Sequence, residues 1–198
     1  MPFYPGDAPV PAELRTDEFV LRMLAGTDVT LDYDAVMASK DILHLRSGGS
    51  WPRDGFTLAE NLADLQEHEA DFYARRGFTY TIMRPDETEC LGCLYIYPLD
   101  VILRRMGVKT GEAPVVSAAG DDGVAEASFW VRQERIVGDL DRRVLAALLP
   151  WLRHDFAFSR LYLRAFEREQ RHVAIFGEAG LRVVAAYPVG DTRLLLYV

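Results

Sequence analysis

The sequence lacks the features that would assign it to a membrane or nucleic-acid class. Among its 198 residues there is no apolar run of about 18, the length that a membrane-spanning helix needs. Its start has no basic stretch followed by an apolar core, so we expect no signal peptide and a cytoplasmic location. Positive charge is in deficit, with 22 Lys and Arg against 30 Asp and Glu. The net charge of −8 argues against a nucleic-acid or anionic-membrane partner, because phosphate binding needs clustered cations.

Cysteine is also scarce. The two cysteines, Cys90 and Cys93, have the C-x-x-C spacing of metal and redox sites. No second pair is present to complete a zinc site, and residues three apart along a strand point to opposite faces. We therefore expect two ordinary strand residues and no metal.

The chain has enough apolar residues, 49%, to build one domain with a full core. Its first twelve residues hold too many prolines for a helix or a central strand. We predict a proline-rich arm over residues 1–16, lying extended on the surface or disordered, followed by a single domain over residues 17–198.

A strand, a helix and a second strand follow one another in the C-terminal half. Branched and aromatic residues predict strands over 125–133 and 160–166, and apolar residues at helical spacing predict a helix over about 140–156. This order implies a parallel pair joined by a right-handed crossover. The other predicted elements are a strand at 19–24, a helix start near 27–28, a helix at 58–75, a hairpin of 78–84 with 89–97, a short helix at 99–106, a helix near 169–180, and a last hairpin of 181–187 with 191–198.

The loop that opens the crossover helix carries a family resemblance. Residues Arg135 to Leu140 read R-I-V-G-D-L, and this resembles the Gln/Arg-x-x-Gly-x-Gly/Ala loop of the GNAT superfamily of acyl-CoA-dependent N-acyltransferases. In that family the loop wraps the pyrophosphate of coenzyme A with backbone N–H groups and the helix dipole. Arg135 and Gly138 fit, whereas Leu140 replaces a small residue. We expect the Asp139 carboxylate to cap the helix, and nearby arginines to offset its repulsion of phosphate.

A later segment strengthens the resemblance. Gln170 stands near the position of the family's helix-opening Asn, Ile175 and Phe176 match its bulky pair, and Gly180 fits the left-handed residue that ends a helix. In element order the resemblance covers residues 17–198. It implies an α+β fold: a mixed, mostly antiparallel sheet of about six to seven strands with one parallel crossover pair and helices on both faces.

The resemblance also implies a function. We expect an N-acetyltransferase that uses acetyl-CoA as cosubstrate and an amine, in a small molecule or a protein, as acceptor. Its cofactor contacts are expected at Trp130, Val131, Arg132, Arg135, Gly138, Asp139, Leu140, Gln170 and Phe176. A backbone N–H of Trp130, Val131 or Arg132, freed by a bulge, would bind the thioester oxygen. The apolar final strands suggest a homodimer.

Proton transfer is assigned on the same basis. Glu126 is the expected general base, directly or through water, with a pKa raised by burial. Phe176 occupies the position where relatives place an acidic Tyr, so the thiolate proton would come from Tyr162, Ser128 or water. His44 is a second candidate base, although a hydrogen-bonded surface His is the simpler interpretation. Trp51 and Tyr33 would line an aromatic pocket or belong to the core.

Two alternative functions follow from the positions at which the sequence departs from the family pattern. Phe176 and the irregular loop are also compatible with a catalytically silent acyl-CoA-binding module. A protein that has lost the cofactor and serves as an interaction scaffold is the third hypothesis.

Overall fold

The computed structural model describes residues 3–108 and 123–198, which contain eight strands and six α-helices. The strands are β1 (Glu13–Arg15), β2 (Val20–Met23), β3 (Phe78–Met83), β4 (Cys90–Pro98), β5 (Val124–Val131), β6 (Arg160–Phe166), β7 (Val183–Val189) and β8 (Thr192–Tyr197). The helices are α1 (Val29–Ala38), α2 (Lys40–Ser47), α3 (Leu58–Tyr73), α4 (Leu99–Arg105), α5 (Leu140–His154) and α6 (Gln170–Glu178). Short 3₁₀ helices, Gly26–Asp28 and Gln133–Gly138, precede α1 and α5.

All eight strands belong to one sheet, in the order β1-β2-β3-β4-β5-β6-β8-β7. Every neighbouring pair is antiparallel except β5 and β6, which are parallel and connected through α5. The predicted α+β class, mixed sheet and parallel crossover pair are confirmed, with eight strands in place of six to seven. None of the described helices is both long and apolar enough to cross a membrane.

The parallel ladder between β5 and β6 is short. It runs from Val124 opposite Arg160 to Ala127 opposite Leu163. Beyond that pair β5 continues to Val131 and β6 to Phe166, but the two strands no longer pair with each other. The two parallel strands therefore splay apart, and the splay begins at Ser128.

Side-chain alternation along β5 divides the protein into two layers. Ala125, Ala127 and Phe129 face the larger core, which α5 and α6 cover. Trp130, on the opposite face, packs in a second core together with residues of α1 and α2. The apolar stripe of α5 forms this larger core as predicted, through Leu140, Val144, Leu145, Leu148 and Leu152.

The N-terminal segment is more tightly bound than predicted. Tyr4 is fully buried, and its hydroxyl donates to the Pro9 carbonyl at 3.0 Å and accepts from the Ala157 N–H at 3.1 Å. Within the predicted arm, β1 pairs with β2. The prediction of a free or purely superficial segment was wrong for these residues, because an aromatic side chain anchors a stretch that proline keeps out of regular structure.

The prediction that Cys90 and Cys93 point to opposite faces was also wrong. The register between β3 and β4 shifts where Met83 pairs with Cys90 and Ile82 with Gly92, so one extra residue bulges from β4. The bulge turns both thiols to the same side, next to Asp32. It requires Gly92, whose φ is +146°, because a Cβ there would lie 2.1 Å from the Trp130 carbonyl oxygen.

The C-terminal elements follow the prediction with a small shift. The last turn comes at Gly190, and Pro188 remains inside β7, where the missing N–H is tolerated because β7 is an edge strand. Gly180 takes the expected left-handed conformation, with φ +79°, after α6. Of the connection predicted between residues 98 and 123, α4 is confirmed and residues 109–122 lie outside the described part of the chain.

Candidate active site

A buried ion pair lies between the diverging ends of β5 and β6. Arg46 of α2 donates through Nη1 to the Phe129 carbonyl at 2.8 Å and to Glu169 Oε1 at 3.0 Å. The other oxygen of Glu169 accepts from the Phe166 N–H at 2.7 Å. The pair therefore supplies partners to backbone groups that the splay has taken out of the ladder. Burial opposes ionisation of Glu169, but Arg46 and the Phe166 N–H together hold its pKa below the usual value.

His172 borders the same region from α6. Its ring contacts Phe129 and Phe176, with centroids 5.1 Å and 5.8 Å away. Burial lowers its pKa to about 4, so the imidazole is neutral near pH 7. Its Nε2 has no hydrogen-bond partner among the described residues.

The hydrogen bonds of β5 show which of the three predicted backbone N–H groups can bind the thioester oxygen. The Arg132 N–H donates to the Leu91 carbonyl at 2.7 Å, so it is already satisfied. Since backbone groups alternate along a strand, the Trp130 N–H also faces β4, and the Val131 N–H faces the splay. The predicted bulge on β5 is wrong, because β5 pairs with β4 in unbroken register from Gly92–Val131 to Pro98–Ala125. The splay, rather than a bulge, is what frees the Val131 N–H.

Glu126 is fully buried on β5 and is paired with Arg164 on β6. Arg164 donates through Nε to Glu126 Oε2 at 2.9 Å and through Nη2 to the Ser128 hydroxyl at 2.7 Å. Glu126 Oε1 has no partner among the described residues. Burial raises the pKa of Glu126, and the nearby guanidinium groups only partly oppose this shift. The carboxylate thus has one free oxygen and an increased affinity for a proton.

Glu126 lines a cavity of about 250 Å³ on the α1–α2 side of the sheet, which we call the acceptor cavity. Aromatic side chains form much of its wall, and Arg46 connects it to the splay. Its lining consists of Leu43, Arg46, Ser47, Trp51, His68, Tyr95, Tyr97, Ile102, Arg105, Met106, Glu126, Trp130 and Arg164. A cavity with apolar walls and a few polar groups that converge is the usual form of a small-molecule site.

The loop before α5 differs from its prediction at Asp139. This residue has left-handed backbone angles, φ +56° and ψ +26°, and its side chain makes no capping bond to the helix. Its carboxylate instead accepts from Arg142 at 3.1 Å and from Arg171 at 2.6 Å. The predicted side-chain cap is wrong, because these two guanidinium groups hold the carboxylate away from the first-turn amides.

A second cavity, of about 580 Å³, lies at the N-terminus of α5 and is lined by Arg135, Gly138, Leu140, Arg84 and Arg143 among others. Arg135 is bound to both oxygens of Glu89 at 2.7 Å, and Arg143 to Glu18 at 2.7 Å. An entering anion would exchange with the half-buried Glu89 and the exposed Glu18, and partly exposed ion pairs allow this at small cost. The cavity therefore has the position for a phosphate group and three arginines in its lining, although four carboxylates, Asp17, Glu18, Asp86 and Glu134, line it as well.

The structure also gives the positions of four other predicted residues, Phe176, Gln170, Ser128 and Tyr162. Phe176 is fully buried and packs edge-on against Tyr197 at 5.0 Å, so it is a core residue beside the splay. Gln170 begins α6, and its amide donates outward to the Glu167 carbonyl at 2.7 Å. Ser128 shares the face of β5 with Glu126, whereas Tyr162 packs in a separate core below α4.

Three further candidates have structural partners. His44 Nε2 is 2.8 Å from the Pro52 carbonyl oxygen, which favours the hydrogen-bonded interpretation. Trp51 lines the acceptor cavity, but Tyr33 donates to the Phe56 carbonyl at 2.8 Å and belongs to the second core.

Sequence reasoning missed the residues that act as counter-ions. Arg46, Arg164 and Glu169 were not singled out, although a charged Arg164 in the middle of an otherwise apolar strand signals a buried partner. With them, the described residues provide a buried carboxylate on β5, a backbone N–H further along the same strand that faces the splay, and two cavities. This arrangement can bind an amine near the splay and accept its proton.

Comparison with known proteins agrees at the level of the fold. No protein-family model and no curated protein matches the sequence. Among solved structures, a ribosomal-protein-S5-alanine acetyltransferase from Vibrio fischeri superposes with a TM-score of 0.67 at 10% identity, covering 95% of this chain and 96% of that one. Microcin C7 self-immunity acetyltransferase MccE, in complex with acetyl-CoA and AMP, gives 0.66 at 10% identity over 95% and 96%.

RimL, a ribosomal L7/L12 α-N-protein acetyltransferase in complex with coenzyme A, gives a TM-score of 0.64 at 14% identity, covering 92% of this chain and 93% of that one. These similarities extend over nearly the whole of each chain. The chain has the fold of the GNAT acetyltransferases, as its order of elements predicted.

Proposed function

We propose that this chain is a divergent GNAT enzyme that transfers an acetyl group from acetyl-CoA to an amine. The observation that carries the proposal is the fully buried Glu126, which has an unpartnered Oε1 among the described residues and belongs to the lining of the acceptor cavity, on the strand that splays from β6. An unpaired carboxylate oxygen in such a place is costly for stability, and an ammonium or amine ligand would supply its partner.

The residues of the splay have distinct roles in this reaction. Bound acetyl-CoA supplies the activated acyl group as a thioester. The Val131 N–H donates to the carbonyl oxygen as it becomes negative, and Glu126 accepts a proton from the acceptor nitrogen. A bond forms between that nitrogen and the acyl carbon while the carbon–sulfur bond breaks. The thiolate takes a proton from water or from Ser128, since Phe176 has none to give.

The second cavity would hold the pyrophosphate. In the first turn of α5 the Arg142 N–H is bonded to the Asp139 carbonyl at 3.1 Å and to Asp141 Oδ1 at 3.0 Å, so the N–H groups of Leu140 and Asp141 would bind the anion, beside Gly138 and the guanidinium groups of Arg135 and Arg143. The chain's own residues thus provide both backbone and side-chain donors for an anion.

A catalytically silent acyl-CoA-binding module is the alternative. It is favoured by Phe176, which cannot donate a proton, and by the Arg46–Glu169 pair, which occupies the region between the diverging strands. Turnover separates the two functions, whereas both require cofactor binding.

Cofactor binding can be measured first, by thermal shift, and turnover second, by thiol release. A ligand present at a thousandfold excess over its Kd stabilises the fold by about 4 kcal/mol. For a chain of this length, that raises Tm by roughly 8–16 °C. We expect this shift with coenzyme A and with acetyl-CoA, and thiol release when amines are added. A shift without thiol release for any amine would favour the silent module, and no shift with either ligand would favour an interaction scaffold.

If the loop before α5 binds the pyrophosphate, Gly138→Val should lose affinity for coenzyme A and keep its fold. A Cβ at Gly138 meets no atom within 4 Å, so the fold accommodates a side chain there. The added bulk should nevertheless keep the pyrophosphate from the backbone and weaken coenzyme A binding at least tenfold in titration calorimetry. Val137→Ala is the matched control, because the Val137 side chain is exposed in the same 3₁₀ helix. Unchanged affinity in Gly138→Val would place the phosphate elsewhere.

Location and assembly extend the same proposal. We propose a cytoplasmic enzyme, and a homodimer that pairs through the exposed valines Val183 and Val184 of the edge strand β7. Concentration-dependent sedimentation tests the dimer, and a monomer at all concentrations would exclude it.

A further inference from the structure

The acceptor cavity is positively charged, although the chain as a whole is acidic. Three arginines line it, Arg46, Arg105 and Arg164, against one carboxylate, Glu126. The two inner guanidinium groups are balanced, Arg164 by Glu126 at 2.9 Å and Arg46 by Glu169 at 3.0 Å.

Arg105 is the unbalanced cation. It is exposed at the end of α4, and its guanidinium lies over the ring of Tyr97, 5.6 Å from the centroid. In the described part of the chain no carboxylate forms an ion pair with it. The neighbouring Arg104, in contrast, is paired with Asp100 at 2.6 Å and does not line the cavity. Among the described residues, the exposed side of the cavity therefore has a cation without an ion-pair partner, and Arg105 shares a neighbouring groove with the carboxylates of Glu67 and Asp71.

The inner part of the acceptor cavity, in contrast, requires a positively charged ligand group. Glu126 is fully buried and offers an unpartnered oxygen to a donor such as an ammonium group. Between the two lie the aromatic side chains of Tyr95, Tyr97 and Trp51, which suit an apolar body. The volume, about 250 Å³, is below the roughly 300–1,000 Å³ of drug-sized sites, so the ligand is small.

These charges define one class of ligand. A plain amine would satisfy Glu126 but would leave Arg105 unpaired and would be repelled by the excess of guanidinium groups. A ligand that carries an amine at one end and a carboxylate at the other satisfies both.

We propose that the acceptor is a small ω-amino acid, whose apolar body separates its amine from its carboxylate, bound with its nitrogen at Glu126 and its carboxylate at Arg105. This inference rests on the proposed acetyl transfer and names its acceptor. In the reaction, the acceptor nitrogen forms the amide bond as the carbon–sulfur bond of the thioester breaks. One proton passes from that nitrogen to Glu126 or water, and the thiolate leaves as the thiol.

Matched acceptors separate the carboxylate from the rest of the molecule. 6-Aminohexanoate and pentylamine share their methylene chain, as 4-(aminomethyl)benzoate and benzylamine share their ring, and only the amino acids carry the carboxylate. 6-Aminohexanamide keeps the length of the acceptor and replaces its carboxylate by a neutral amide. We expect kcat/KM to be at least tenfold higher for each amino acid than for its amine or amide, because one charge-assisted contact is lost.

Arg105→Met should remove most of this preference while keeping the length of the side chain. Arg104→Met is the control and should leave it intact, since Arg104 is paired outside the cavity. Binding of each acceptor to the coenzyme A complex, measured by titration calorimetry, gives a second readout that does not depend on turnover. There the amino acids should bind at least tenfold more tightly than their amines, and Arg105→Met should abolish the difference.

The outcomes distinguish this inference from the function on which it rests. If amines or the amide are acetylated or bound as well as the amino acids, the carboxylate inference is wrong and acetyl transfer stands. The inference also fails if Arg105→Met and Arg104→Met behave alike. If neither coenzyme A nor acetyl-CoA binds, the proposed function fails, and the inference about its acceptor fails with it.

Discussion

Glu126→Gln should lower the acetylation rate by about a hundredfold near neutral pH, the typical value of a positioned general base. Gln keeps the shape of the side chain but cannot take the proton of the acceptor. The pKa of Glu126 is raised by burial, so parent activity should fall as pH drops through that raised value and Glu126 becomes protonated. The gap between parent and variant should be widest where Glu126 is ionised and the amine is still ammonium, and should close at high pH. A pH–rate profile measures this.

Two controls make the result specific. Glu167→Gln changes an exposed carboxylate paired with Arg193 and should leave the rate unchanged. Because Gln leaves the buried Arg164 without its counter-ion, the melting temperature and coenzyme A affinity of Glu126→Gln are measured alongside. A profile that overlays the parent's would remove Glu126 from the mechanism and point to water as the base.

Glu169→Ala should destabilise the fold by about 3–5 kcal/mol, because it leaves Arg46 as a buried, uncompensated charge. It also removes the acceptor of the Phe166 N–H. For a chain of this length the loss corresponds to a Tm lower by roughly 6–20 °C, which calorimetry can follow. Glu169 was not predicted from sequence, so this variant tests what the structure adds.

The second half of this experiment removes both charges. Arg46→Met combined with Glu169→Leu should recover much of the lost stability, since replacing both members of a buried pair by apolar residues is often neutral. Glu167→Ala, which breaks an exposed pair with Arg193, should leave the melting temperature nearly unchanged. If Glu169→Ala is as mild as Glu167→Ala, the ion pair is not structural and the splay is held open by other contacts.

Much of the fold follows from local sequence patterns. The crossover unit was predictable because β5 and β6 are rich in branched and aromatic residues and α5 has apolar residues at helical spacing. Gly180 was predictable as the end of α6, because only a residue that tolerates positive φ fits there. Of the site, Glu126 and Gly138 were named from the family resemblance, and their catalytic and binding roles stay predictions.

Features that depend on distant parts of the chain were not predictable. The bulge on β4 depends on where β3 pairs with it, so its reorientation of Cys90 leaves no signal in the C-x-x-C spacing. Arg46 and Glu169 are 123 positions apart and become partners only when α2 and α6 pack on the sheet. The Asp139 cap failed for the same reason, since Arg171 reaches it from a different helix.

Amide chemical shifts during an acetyl-CoA titration test the central claim most directly. With a ¹⁵N-labelled chain, the account predicts saturable shifts that are largest at Val131 in the splay and at Gly138 and Leu140 in the loop, with β1 unchanged. No shift at millimolar acetyl-CoA, or saturable shifts confined to residues away from the splay and the loop, would contradict it.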